Sequence, residues 1–166
     1  MAYVTGGEPG GEGCFLCAAG IAAEIDHPNQ GLVVERTEQT LTLMNLFPYT
    51  SGHVLVAPRR HVADLRALTS EEGAALLAAT QRVLGAISRA MQPAGFNVGM
   101  NLGRAAGSSV DHLHVHVVPR WGGDTNFMPV LADAKVLPEH LEVTAGRLRE
   151  ALSGDHEPAA DQDTMG

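Results

Sequence analysis

Along the first third of the chain, apolar and polar positions alternate in short bursts. They then switch to a helical recurrence. "GLVVERTEQTLTLMNLFP" reads as two short strands joined by the polar turn "RTEQT". "HVLVAP" predicts a third strand, stopped by Pro58. Thr69 and Glu72 have capping-box spacing. After them Leu76, Leu77, Thr80, Val83, Leu84, Ile87 and Met91 predict a helix over about 70–91, ending before Pro93 and Gly95. "FNVGMN" is a fourth strand, "LGRAAGSS" a loop of small residues, and "HLHVHVVP" a fifth strand. "PEHLEVTAGRLREAL" predicts a short amphipathic helix with Pro138 near its start and Leu141, Ala145, Leu148 and Leu152 as its apolar positions. The order β-β-β-α-β-β-α, with short connections between strands, predicts an antiparallel sheet in an α+β domain, the long helix covering one face.

At 166 residues and 17.4 kDa one domain is expected, spanning residues 14–152. Residues 1–13 are Gly-rich and expected to be flexible. Residues 153–166 are acidic and poor in apolar side chains, the pattern of a disordered tail. Hydrophobic residues make up 45% of the chain, enough for a core. No run approaches the ~20 apolar residues that cross a bilayer. The start has no basic region followed by an apolar one, so a cytoplasmic location is expected and no membrane partner. A net charge of -8 and a pI of about 5.4 disfavour nucleic acid as a partner. An anionic small molecule stays compatible, because a pocket can supply local donors against the global field.

The chemistry concentrates in "SSVDHLHVHVVPR", where His112, His114 and His116 alternate with Leu113, Val115 and Val117. On a strand these imidazoles share one face while the aliphatic residues point to the core. Three imidazoles in the core would each need hydrogen-bond partners. At about 3.3 Å per residue His112 and His116 lie ~13 Å apart along a regular strand, so one metal ion takes a neighbouring pair at most. At least one histidine has another task. The preceding "GRAAGSS" offers backbone N–H groups and two hydroxyls to an anionic oxygen. It lacks the Lys-Ser/Thr ending of a Walker A loop. Nucleophile and anion cradle together point to attack on phosphorus by His114, the middle imidazole. Cys14 and Cys17 are too few for a disulfide scaffold. Their spacing fits half a metal site, a redox pair, or two small apolar residues.

"HLHVHVV" matches the histidine-triad signature of His and apolar residues without exception. "MNLFPYTSGHVLVAPRRHVADL" and "GFNVGMNLGRAAGSSVDHLHVHVVPRWGGDTNF" are similar to the family's sheet segment and to its bacterial dinucleoside-polyphosphate branch, close to the fragile-histidine-triad type. The resemblance covers roughly residues 14–150 and implies the histidine-triad fold, about five antiparallel strands with one long helix and a short C-terminal helix. It also implies a two-step reaction on dinucleoside polyphosphates such as diadenosine tri- or tetraphosphate. His114 attacks the α-phosphorus, a nucleotidyl-histidine forms, and water or inorganic phosphate releases the mononucleotide. The other activities in view are phosphoramidase or adenylyl-hydrolase chemistry, and nucleotide-binding signalling with little turnover.

By the same resemblance His116 contacts the transferred phosphate. Asn101 and Ser109, with Gly107 and Ser108 in the same loop, match phosphate-holding positions. Ser108 stands where some relatives carry glutamine. Asn45 matches a ribose-binding position, although an Asx turn ahead of Pro48 also accounts for it. Zinc-binding members place ligands where this chain has Cys14, Cys17, His61 and His112, which implies a structural zinc. A homodimer is the implied assembly. Trp121 either stacks near the outgoing nucleotide or packs a loop. His27, His53, His140 and His156 read as incidental, with His53 a structural candidate at the start of its strand.

Overall fold

The computed structural model describes residues 13–21, 30–124 and 139–154. The terminal segments expected to be flexible or disordered lie almost wholly outside these residues, as do His27, Pro138 and His156. The elements are helix α1 (Phe15–Ile21), strands β1 (Val33–Arg36), β2 (Thr40–Met44) and β3 (Val54–Pro58), helix α2 (Ser70–Met91), strands β4 (Gly95–Met100) and β5 (Val115–Arg120), and helix α3 (Leu141–Ser153). They form an α+β fold around one five-stranded sheet of order β1-β2-β3-β5-β4. Every neighbouring pair is antiparallel, as expected. β5 inserts between β3 and β4, so the chain's fourth strand becomes an edge.

Both faces of the sheet are covered, which is why β2 and β3 are buried along their whole length. Their alternation sorts side chains by face. Met44, Val54, Val56, Val115 and Val117 pack with Leu76, Val83 and Ile87 of α2 and with Leu148 of α3. Leu41, Leu43, Leu55 and Ala57 point the other way, against Leu16 and Ala19 of α1. Each fully buried aliphatic side chain in these layers contributes about 1.5–3 kcal/mol. α2 has the expected bounds because its capping box is real: Thr69 Oγ1 accepts from Glu72 N–H and the Glu72 carboxylate accepts from Thr69 N–H. Left-handed Gln92 ends the helix ahead of Pro93.

Two features depart from the sequence expectation. α1 is absent from it, since seven residues of "FLCAAGI" carry too little periodicity to register. The sheet finishes this helix instead: Arg36 donates to the Ala19 carbonyl at 3.0 and 2.9 Å, and Arg59 to the Gly20 carbonyl at 3.2 Å, satisfying the helix C-terminus. The fifth strand starts at Val115, so His112 and His114 precede it. Leu113 N–H there donates to the Val62 carbonyl at 2.6 Å, pinning the segment to the turn after β3.

Gly52, at the turn into β3, has φ +77, and an added Cβ would meet Met91 Sδ at 2.7 Å and Pro119 Cγ at 3.2 Å. Both the backbone conformation and the space require glycine. Gly52→Ala is expected to cost about 1–3 kcal/mol of unfolding free energy, measured in urea. Gly95→Ala, whose Cβ meets nothing within 4 Å, should change it by less than about 0.5 kcal/mol. Equal effects of the two substitutions would contradict this account.

Candidate active site

The three triad histidines do not act as one row. His112 is 2% exposed and turns away from the other two. Its Nε2–H donates to the Pro58 carbonyl at 2.8 Å, because a carbonyl can only accept. Nδ1 is then a bare lone pair, and it lies 3.4 Å from Cys14 Sγ and 3.5 Å from Cys17 Sγ. Cys14 and Cys17 are one helical turn apart at the start of α1, with Ala18 N–H closing the turn on the Cys14 carbonyl at 3.0 Å. His61 completes the group, its Nδ1 3.3 Å from Cys17 Sγ. The four ligand atoms all lie within 4.8 Å of one another and could hold a metal ion. Burial, and then the neighbouring Cys14, push the Cys17 thiol up to about 11. Two sulfurs held this close form a donor set that a cation would satisfy.

His114 is 6% exposed, deeper than a face-out strand residue. Its Nδ1–H donates to the His112 carbonyl at 2.7 Å. That bond fixes the tautomer and leaves the Nε2 lone pair unprotonated. Burial holds its pKa below the ordinary 6.5, although the bond to the His112 carbonyl pulls the other way. The ring is therefore neutral at pH 7. His116 lies edge-on to it, with ring centroids 4.8 Å apart. Burial, and then the neighbouring His114, push the pKa of His116 down to about 4.

His53, read from the sequence as incidental or structural, is fully buried and belongs to this group. Its Nδ1 accepts from Tyr49 N–H at 3.0 Å and faces the Asn45 amide nitrogen at 3.3 Å. Its proton is thus on Nε2, which donates to His116 Nδ1 at 3.0 Å. His116 in turn carries its proton on Nε2, a buried donor with no partner among the described residues. The site thus presents one bare lone pair, on His114, beside one orphan donor, on His116. A Gly-His step opening a strand is the only available sequence signal for His53.

The loop before the triad is a closed turn. Gly103 and Gly107 have φ 83 and 91, and Asn101 Nδ2 donates to the Gly107 carbonyl at 3.4 Å. β4 and β5 pair through Met100↔Val115, so Asn101 and His114 are the next residues out on facing strands. Ser108 Oγ donates to the Val110 carbonyl at 2.8 Å, and Ser109 is exposed. Asn45 forms the Asx turn, its Oδ1 accepting from Phe47 N–H at 3.1 Å. Its amide still has one donor and one lone pair to spare. Trp121 is half-buried, and its backbone N–H donates to the Asp124 carboxylate at 3.2 Å in a tight turn. His140 occupies the N-cap position of α3 without a side-chain cap hydrogen bond.

Three comparisons agree with this arrangement. The HIT domain model matches residues 27–123. A Mycobacterium tuberculosis protein named AP-4-A phosphorylase is 49% identical over 116 residues, 69% of this chain and 60% of that protein. The chain thus spans about 60% of the length of that relative. The bis(5'-nucleosyl)-tetraphosphatase [asymmetrical] of Schizosaccharomyces pombe is 32% identical over 131 residues, 78% of this chain and 69% of that one. A zinc-bound histidine triad family protein from Mycobacterium smegmatis superposes with a TM-score of 0.71 at 31% identity, covering 87% of this chain and 96% of that structure. Sheet order, triad and a matched model spanning more than half its length place the chain in the HIT domain family.

Proposed function

We propose that the chain is a nucleotidyl hydrolase or transferase that cleaves dinucleoside polyphosphates through a nucleotidyl-histidine. The observation that carries this reading is the bare Nε2 of His114 next to the orphan Nε2–H of His116. A lone pair and a donor side by side suit an electrophilic phosphorus that carries anionic oxygens. The His114 nitrogen attacks the α-phosphorus in line. The bond to the bridging oxygen breaks, and the remaining nucleotide leaves with the electron pair. His116 donates to the phosphoryl group being transferred, and His53 holds His116 in the tautomer that permits this. The acceptor oxygen then bonds to phosphorus as the bond to His114 Nε2 breaks, returning the electron pair to that nitrogen. The acceptor's proton passes to solvent and the mononucleotide is freed. Asn101, through its second amide hydrogen, and Ser109 supply donors to phosphate oxygens, while Gly107 and Ser108, whose own donors close the loop, shape the turn that presents them. The spare groups of Asn45 meet the ribose.

The name of the M. tuberculosis relative favours inorganic phosphate over water as acceptor. Incubation with diadenosine tetraphosphate, with and without phosphate, decides between them. ADP beside ATP indicates phosphate, and AMP beside ATP indicates water. Binding without any product would overturn the enzymatic reading in favour of a nucleotide sensor.

The metal that Cys14, Cys17, His61 and His112 would hold is zinc in a structural role. A tetrahedral zinc with sulfur and nitrogen ligands has S···N edges of about 3.6 Å, close to the 3.3–3.5 Å separations present. With four protein ligands no coordination position remains for water. We also propose a homodimer built on β4, an edge strand whose Asn97, Val98 and Gly99 are exposed, and a cytoplasmic location. No helix among the described residues is long and apolar enough to cross a membrane.

His114→Ala should lower turnover by at least about a thousandfold while unfolding as the parent does; retention of a few per cent of activity removes the nucleophile. Cys14→Ala, or prolonged chelation, should release about one zinc per chain by metal analysis and lower the thermal midpoint. Absence of zinc from freshly purified protein would sink that site. For pH, His116 folds with its pKa below 6.5, so the unfolded chain binds its proton first on acidification. Its contribution to stability is complete above pH 6.5 and is lost as pH falls towards about 4. Unfolding curves across that range should show falling stability, and a gain on acidification would contradict the buried neutral imidazole.

A further inference from the structure

Arginine use in this chain is almost exhausted by the fold. Of the ten arginines, five pair with carboxylates and four donate to backbone carbonyls. Arg104 is the exception: among the described residues its guanidinium makes neither a hydrogen bond nor an ion pair, and the residue is exposed. The chain's one lysine, Lys135, lies outside the described residues.

The position of Arg104 is far from arbitrary. It begins the turn between Gly103 and Gly107, and that turn is shut by Gly107 N–H on the Arg104 carbonyl at 3.0 Å and Ser108 N–H on the Gly103 carbonyl at 3.2 Å. The turn is tied back to Asn101, the residue facing His114 across the end of the β4–β5 ladder. Asp111, the only carboxylate between Asn101 and His114, makes no ion pair with it. An unpartnered guanidinium is thus carried by the turn that is tied to Asn101, in a protein of net charge -8. A planar fork of donors suits phosphate oxygens and is otherwise wasted on solvent.

We propose that Arg104 is a specificity-determining residue that binds the phosphates beyond the scissile bond, and so selects polyphosphate leaving groups over uncharged ones. The inference rests on the reading of the site as a nucleotidyl-transfer centre. A single phosphate occupies the cradle and the triad, and each further phosphate reaches the Arg104 turn.

Calorimetric titration with AMP and with ATP, without added divalent cation, tests this apart from turnover. The parent should bind ATP about tenfold or more tightly than AMP, since a hydrogen bond to a charged group is worth about that factor. Arg104→Ala should remove the difference and leave AMP affinity within about twofold. Arg104→Lys should keep part of it, because a point charge remains without the fork. The ATP preference of the parent should also shrink with salt, and that of the Ala variant should not. A full ATP preference in Arg104→Ala, or no preference in the parent, overturns the proposal. Failure of the parent to bind AMP at all would instead overturn the underlying reading of the site.

Discussion

One hydrogen bond governs the site: His114 Nδ1–H to the carbonyl of His112, at 2.7 Å. An imidazole is a nucleophile only through an unprotonated nitrogen, and a buried ring cannot rely on water to choose its tautomer. The backbone makes the choice here, and it leaves Nε2 bare. His112 can hold its carbonyl there because the rest of the residue is tied down. Its ring nitrogen donates to Pro58, and the next residue donates to Val62. The lone pair on the other side of the ring faces two sulfurs. A single residue therefore links the metal-ligating cluster to the nucleophile through one peptide group, and loosening the cluster would be felt at His114.

The second relay reaches the site from the opposite direction. Tyr49 N–H, His53 and His116 form a chain in which each acceptor determines where the next proton sits. It starts at a turn whose geometry depends on Gly52 and ends on a donor that nothing in the described protein uses. Burial lowers the proton affinity of His112, His114 and His116, which keeps these rings neutral and their assigned donors and acceptors distinct near pH 7. A wet, exposed triad would exchange tautomers freely. The cost of burying three imidazoles is tolerable because each ring has at least one nitrogen hydrogen-bonded within the chain.

Much of this is legible in the order of residues. The alternating bursts of β2 and β3, the capping box at Thr69 and the seven helical positions up to Met91 are local signals, and each element forms where its period places it. The triad spacing puts Leu113, Val115 and Val117 into the core, and elementary strand geometry rules out one ion shared by His112 and His116. The net charge of -8 and the pairing of small residues with hydroxyls before the triad point to a small anion. What the sequence by itself determined, then, was the set of elements, their faces, and the chemical class of the site.

Only the tertiary structure decided which nitrogen of each ring is free. That choice depends on partners far along the chain: His53 and His116 are 63 residues apart, and Cys14 and His112 are 98. No local period encodes such pairs. His53 reads as incidental for this reason, since a lone histidine after glycine carries no pattern of its own. α1 escapes detection on the same grounds, because its hydrophobic contacts and the arginines that finish its C-terminus all come from the sheet and the turn beyond it. Periodicity records how a segment meets a core, whereas protonation and metal-ligating geometry are set by neighbours that only the folded chain brings within hydrogen-bond distance.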